Sequence, residues 1–75
     1  MFPITSHVTC VRAAPGVYRL YYQSRGVGEA VTVNNEALYV SHSFSESGRV
    51  VASLRDAARW LEAIEGAVAA PLAAA

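Results

Sequence analysis

The sequence predicts an α+β fold: a five-stranded antiparallel β-meander with one C-terminal α-helix packed on one face. Three observations predict it. Val17 to Val40 reads VYRLYYQSRGVGEAVTVNNEALYV, short runs of β-branched and aromatic residues split by Gly26-Val27-Gly28 and Asn34-Asn35. From Ser53 the chain SLRDAARWLEAIEGAVAA carries apolar residues at helical spacing. A lone sheet of this size cannot bury its apolar face, and the helix needs somewhere to place its stripe.

Each element can be justified in turn. Ile4 to Ala14 alternates as a first strand, and Pro15-Gly16 supplies a turn through the fixed φ of proline and the freedom of glycine. The second strand runs from Val17 to about Ser24, the third from Glu29 to Val33 and the fourth from Glu36 to about Phe44. Gly26-Val27 and Asn34-Asn35 are read as the loops between them. The turn SESG, Ser45 to Gly48, leads to a fifth strand from Arg49 to Ala52, with Val50 facing Phe44. Ser53 is the expected helix cap, with Asp56 in the capping-box position. Leu54, Ala57, Leu61, Ile64 and Val68 form the helix stripe, and Arg55, Asp56, Arg59, Glu62 and Glu65 lie outside it. Gly66 caps the helix or is tolerated until Pro71 stops it, which makes 1–70 one domain and 71–75 a frayed tail.

These turns set the expected registers. Val11 faces Leu20, Ala13 faces Tyr18, Tyr22 faces Val31, Leu20 faces Val33 and Val31 faces Leu38. One face then collects Val11, Ala13, Tyr18, Leu20, Tyr22, Val31, Val33, Leu38 and Val40. The other collects Cys10, Arg12, Arg19, Tyr21, Gln23, Ala30, Thr32, Ala37 and Tyr39. A slip of one residue exchanges the faces. Arg12 and Arg19 fall opposite each other on the second face, and burying two unpaired like charges is prohibitive, so that face is the wet one.

Composition narrows the function. The 75 residues are 53% hydrophobic and 16% charged, which describes one folded body rather than a disordered segment. Six arginines balance six acids, with no lysine, so whole-molecule charge gives phosphate no long-range attraction and disfavours nucleic acid. The single cysteine, Cys10, cannot form an internal disulfide, which fits a reducing cytoplasm. The first residues lack the basic-then-apolar pattern of a secretory signal, and no apolar stretch reaches spanning length, so the expected location is cytoplasmic with no membrane partner.

Catalytic and metal constellations find little support. His7 and Cys10 are three apart on a strand and point to opposite faces, and a structural zinc site wants about four ligands at close spacing. No metal or cofactor is expected. His42 shares parity with Val40 and Phe44 and reads as a hydrogen-bonded histidine at the core edge. Ser41, Ser43, Ser45 and Ser47 surround it, yet adjacent strand side chains diverge, and no acid is placed to orient it. Glu29 and Glu36 read as solvated charges beside turns, and Arg25-Gly26-Val27-Gly28 lacks the pattern of a phosphate loop. An enzyme is therefore not expected.

A surface remains. Arg12, Arg19, Tyr21, Gln23 and Tyr39 share the open face, and arginine and tyrosine are the residue types that anchor protein interfaces. The same face could stack single-stranded bases, or an edge strand could pair with a second copy.

The layout resembles the small anti-CRISPR proteins of phages and mobile elements, particularly those acting on type I systems. It rests on a short chain, a meander through YRLYYQSR, EAVTV and EALYVSHSF, and SLRDAARWLEAI as the closing helix. That class shares architecture rather than a motif, so it assigns no residue roles. It implies a stoichiometric inhibitor that occupies a CRISPR effector subunit and blocks DNA binding or nuclease recruitment, as a monomer or weak homodimer. The balanced charge departs from the acidic DNA mimics among them. Two alternatives stand beside it: a small nucleic-acid-binding or antitoxin-like regulator, and a phage structural or assembly protein.

Overall fold

The computed structural model describes residues 2–74, with side-chain surroundings from 3 to 66. Six strands follow in order: β1 (Phe2–Pro3), β2 (Val8–Ala14), β3 (Val17–Tyr22), β4 (Arg25–Asn34), β5 (Ala37–His42) and β6 (Gly48–Val51). They form one antiparallel sheet in sequence order, and helix α1 (Leu54–Ala74) packs across one face. The expected meander and closing helix are present, with the two-residue β1 added at one edge.

Each hairpin departs from its expected register for an identifiable reason. At Pro15-Gly16 the turn is as expected: Ala14 pairs with Val17 and Gly16 has φ +74°. A bulge between Arg12 and Ala14 then slips the ladder, so Cys10, not Val11, lies opposite Leu20. Two-residue loops other than the primed types oppose the right-handed strand twist, and a bulge restores it. Cys10 therefore moves from the expected wet face into the core, fully buried, and burial pushes its thiol pKa up.

The next turn is Gln23-Ser24, not Gly26-Val27. Both residues are left-handed (φ 49° and 72°), and Tyr22 pairs with Arg25 across them. This geometry gives a tight hairpin matched to strand twist. The glycines lie inside β4, where a bulge turns Val27 into the core and Gly28 stays side-chain-free beneath the helix. A Cβ at Gly28 would lie 2.9 Å from Leu61 Cδ1 and would also meet the Ser41 carbonyl oxygen. Glycine here permits close approach rather than a turn.

The third hairpin turns at Asn35-Glu36, with Asn34 opposite Ala37. The Asn34 side chain holds this turn by accepting the Glu36 N–H at 2.8 Å. A third irregularity, between Thr32 and Asn34, sets Ala30 opposite Val40 and Val31 opposite Tyr39. Ala30 is consequently buried, whereas Val31 and Val33 are exposed. Val50 faces Tyr39 rather than Phe44, which lies in the following turn and is exposed.

The core gathers Val8, Leu20, Val27, Ala30 and Val40 from the sheet under Ala57, Ala58 and Leu61 of α1. The parity of β3 stands: Leu20 is fully buried and Arg19 is exposed. Ser53 caps α1 as expected, its Oγ accepting the Asp56 N–H at 3.2 Å. The helix continues through Gly66 and past Pro71, where the sequence reading stopped it. The expected tail, 71–75, falls on side chains and a last residue outside the described set.

The segment before β2 is strapped to the helix. Thr5 Oγ donates to Glu62 Oε2 at 2.6 Å and accepts the Val8 N–H at 3.2 Å. The Thr5 hydrogen bond holds the Glu62 carboxyl below its usual pKa, with smaller help from His7, whose Nδ1 lies 3.4 Å away. A depressed carboxylate pKa adds stability that is present above the unfolded value and lost as pH falls through the folded one. Protection of the Ile4 and Val8 amides in hydrogen exchange is therefore expected to hold at neutral pH and to decline as pH drops below about 4, the unfolded glutamate range. Thr5→Ala removes this decline; an acid response unchanged by Thr5→Ala contradicts the strap.

Candidate functional site

Two places on the molecule carry chemistry beyond packing: the open face of the sheet, and a buried polar relay at the end of the helix interface.

The open face is built by cross-strand rows. Val11, Arg19, Glu29, Ser41 and Gly48 make one row across β2 to β6. Val17, Val31, Tyr39 and Val50 make the next. Thr9, Tyr21 and Gly26 make a third. Tyr21 lays its ring over Gly26, with Cε2 3.5 Å from where a Cβ would stand, and Tyr39 lies over Gly48. At Gly48 the absent side chain makes room for the hydroxyl end of Tyr39, whereas Tyr21 meets Gly26 at ordinary contact distance. The Val17 row, at one end of the three, stays apolar and open: Val31 is 38% exposed, Tyr39 45% and Val50 59%.

Of the five expected surface residues, the structure gathers three. Arg19, Tyr21 and Tyr39 share the open face. Arg12 does not join them. It pairs with Tyr18, on the Cys10 and Leu20 side, and it sits exposed towards the end of β2. The β2 bulge is the cause, and it also removes the expected Arg12–Arg19 opposition: Arg19 faces Val11 and Glu29 instead. Gln23 belongs to no face, because it occupies the β3–β4 turn, where its N–H donates to the His7 carbonyl at 3.0 Å. Glu29 is the acid that sequence reasoning left among solvated turn residues. It lies mid-strand and gives the face mixed charge.

The polar relay was not foreseen. Glu65 was expected on the helix surface, yet it is only 5% exposed, and His42 is 5% exposed beside it. His42 Nε2 lies 2.8 Å from Glu65 Oε2. On the other side of the ring, Nδ1 receives the Ser45 N–H at 3.1 Å and lies 2.7 Å from Ser45 Oγ. Since a backbone N–H only donates, Nδ1 accepts and Nε2–H donates to the carboxylate. Arg25 pairs with the second Glu65 oxygen and places its guanidinium 5.1 Å from the Phe44 ring centre. Phe44 in turn meets His42 edge-on at 5.8 Å.

This is the connectivity of a nucleophile, base and orienting acid, and it supplies the acid that sequence reasoning did not find for His42. The turn, however, already occupies the base: the one Nδ1 lone pair serves both the N–H and the hydroxyl of Ser45. The relay therefore closes the β5–β6 turn and ties β4, β5 and α1 together. Among the described residues, no buried side-chain nitrogen or oxygen lacks a partner. Also among them, no cluster of three or more His, Cys, Asp or Glu stands ready for a metal ion, and no helix is long and apolar enough to cross a membrane.

Comparison of the chain with protein families, curated proteins and solved structures found no match.

Proposed function

We propose that this chain is a non-enzymatic protein-binding inhibitor that docks through its open sheet face. The observation that carries the reading is the contiguous exposed row of Val31, Tyr39 and Val50, with Arg19 in the next row and Tyr21 in the row beyond, on the side of the sheet away from α1. Rows of this kind, rimmed by polar groups, mark interaction sites, and tyrosine and arginine are favoured anchors. The Arg19–Glu29 pairing suits a partner protein of mixed charge better than a phosphate backbone. The architectural resemblance to anti-CRISPR proteins makes a subunit of a type I CRISPR effector the first partner to test, in a host bacterial cytoplasm.

The test is inhibition of target-DNA binding by purified type I effector complexes. Wild-type chain is expected to inhibit at stoichiometric amounts. Arg19→Ala and Tyr21→Ala are each expected to weaken inhibition about tenfold or more, a loss of roughly 1.4 kcal/mol or above, with the unfolding midpoint little changed. Failure of the wild type against every type I complex removes the anti-CRISPR assignment. Loss of inhibition only in variants that also unfold removes the open face as the interface.

A base-stacking role is the competing reading, favoured by Arg19 and two tyrosines on one sheet face. It requires binding to single-stranded oligonucleotides at low salt that falls steeply as salt rises. The balanced charge predicts no such binding.

A further inference from the structure

We propose that the free edge of β6, with the cleft beside it, is a docking groove for an extended acidic segment of a partner protein, which adds to the sheet as a further strand. Val50 belongs to both this edge and the open-face row, but the groove uses its backbone and the helix side of the sheet and does not depend on the function of the open face.

The phase of the β5–β6 ladder shows which backbone groups are on offer. His42 N–H donates to the Ser47 carbonyl at 2.8 Å, and Val40 pairs with Arg49 and Leu38 with Val51. Antiparallel bonding alternates along a strand, so Arg49 and Val51 turn their N–H and C=O groups towards β5. Gly48 and Val50 turn theirs outward. β6 is the last strand of the sheet, so these outward groups face no neighbouring strand. The edge carries no proline and no bulge; its guards against strand addition are its four-residue length and Arg49, and a partner carrying an acid turns that arginine into a contact. The opposite edge differs, because β1 already covers Thr9 and Cys10 of β2.

Beside the β6 edge a cleft of about 440 Å³ opens between the strand and α1, lined by Arg49, Val50, Val51, Ala52, Asp56, Arg59 and Trp60. Arg49 and Arg59 are exposed, and neither has a carboxylate within 4.0 Å among the described residues. Two guanidinium groups against the single Asp56 carboxylate give the cleft positive charge. Half-buried Trp60 supplies an apolar wall. A strand added to β6 would send alternate side chains into this cleft, where an aspartate or glutamate meets both arginines and an aliphatic neighbour rests on Trp60. The backbone gives affinity and the arginines select for acid.

The experiment is titration of the isotope-labelled chain with a blocked, extended peptide of alternating valine and threonine carrying one central glutamate, followed by amide and indole chemical shifts. Shifts are expected at the Gly48 and Val50 amides and the Trp60 indole. A peptide with lysine in place of the glutamate is expected to bind about tenfold more weakly or worse, and Arg49→Glu to reverse that order. Val50→Pro, which removes an outward N–H and spares the inward ladder, is expected to abolish the Gly48 shift. The proposal is overturned by silent Gly48 and Val50 amides at millimolar peptide, or by equal binding of both peptides. It is also overturned if β6 pairs with a second copy, seen as concentration-dependent shifts without peptide.

Discussion

Replacing His42 by alanine is expected to lower the unfolding free energy by about 3–5 kcal/mol, more than replacing the glutamate it contacts. The difference follows from what each change leaves behind. Without His42, the nearly buried Glu65 carboxylate keeps Arg25 but loses the donor on its other oxygen. A buried charge short of partners is the most costly remainder. The Ser45 N–H also loses its acceptor, so the β5–β6 turn loosens. Glu65→Ala leaves a neutral ring with one unmet N–H and an arginine that is already largely in water, and its cost is about 1–3 kcal/mol. The two changes share one interaction, so the double variant costs less than the sum of the singles. A His42→Leu/Glu65→Leu pair, which keeps volume without charge, should recover most of the loss. Urea unfolding of the four chains checks this; additive single-site costs would mean the relay is not a unit.

Leu61→Ala is expected to cost about 2–5 kcal/mol, the range for a fully buried leucine truncated in a core that only partly collapses. Among the described residues, Leu61 is the largest fully buried side chain that the helix contributes, and it rests directly on Gly28. The reciprocal change, Gly28→Ala, pushes a methyl into the same contact and is expected to cost about 1–3 kcal/mol or more, as overpacking does. Combining them separates two causes. Shortening Leu61 relieves one clash, but the Ser41 carbonyl oxygen is backbone and cannot withdraw. The double variant is therefore expected to show little rescue. Substantial rescue would mean that helix approach alone, and not the β4–β5 spacing, requires glycine at 28.

What the residues made legible was the sequence of elements and the parity of β3. Leu20 inward and Arg19 outward followed from the cost of burying arginine, although the Arg12–Arg19 opposition behind that argument is absent, and Ser53 announced the helix by its capping chemistry. The registers were less legible, because each of the three hairpins from β2 to β5 contains an irregularity that turn chemistry does not reveal. A bulge adds one residue to one strand and reverses parity beyond it, which is how Cys10 and Ala30 came inside while Val11, Val31 and Val33 went out. Gly26 and Gly28 suggested a turn because glycine serves both turns and close approaches, and their two-residue spacing inside a β-rich run was the available clue to the second role. Glu65 was misplaced for another reason. It stands four residues after Leu61 and belongs to the same stripe by spacing; its charge alone argued for water. A histidine of core parity on the strand beneath was the signal that a buried acid had a partner.

The account depends on which face of the sheet the helix covers, and Cys10 reports on it. The thiol is fully buried on the Leu20 side of the sheet, on a strand between β1 and β3, and burial keeps it protonated. The direct measurement is reaction of the native chain with a thiol-specific disulfide reagent at mildly alkaline pH. The predicted result is a reaction as slow as unfolding, becoming immediate and stoichiometric in denaturant. Immediate stoichiometric reaction of the folded chain would place Cys10 in water and contradict both the buried face and the open one opposite it.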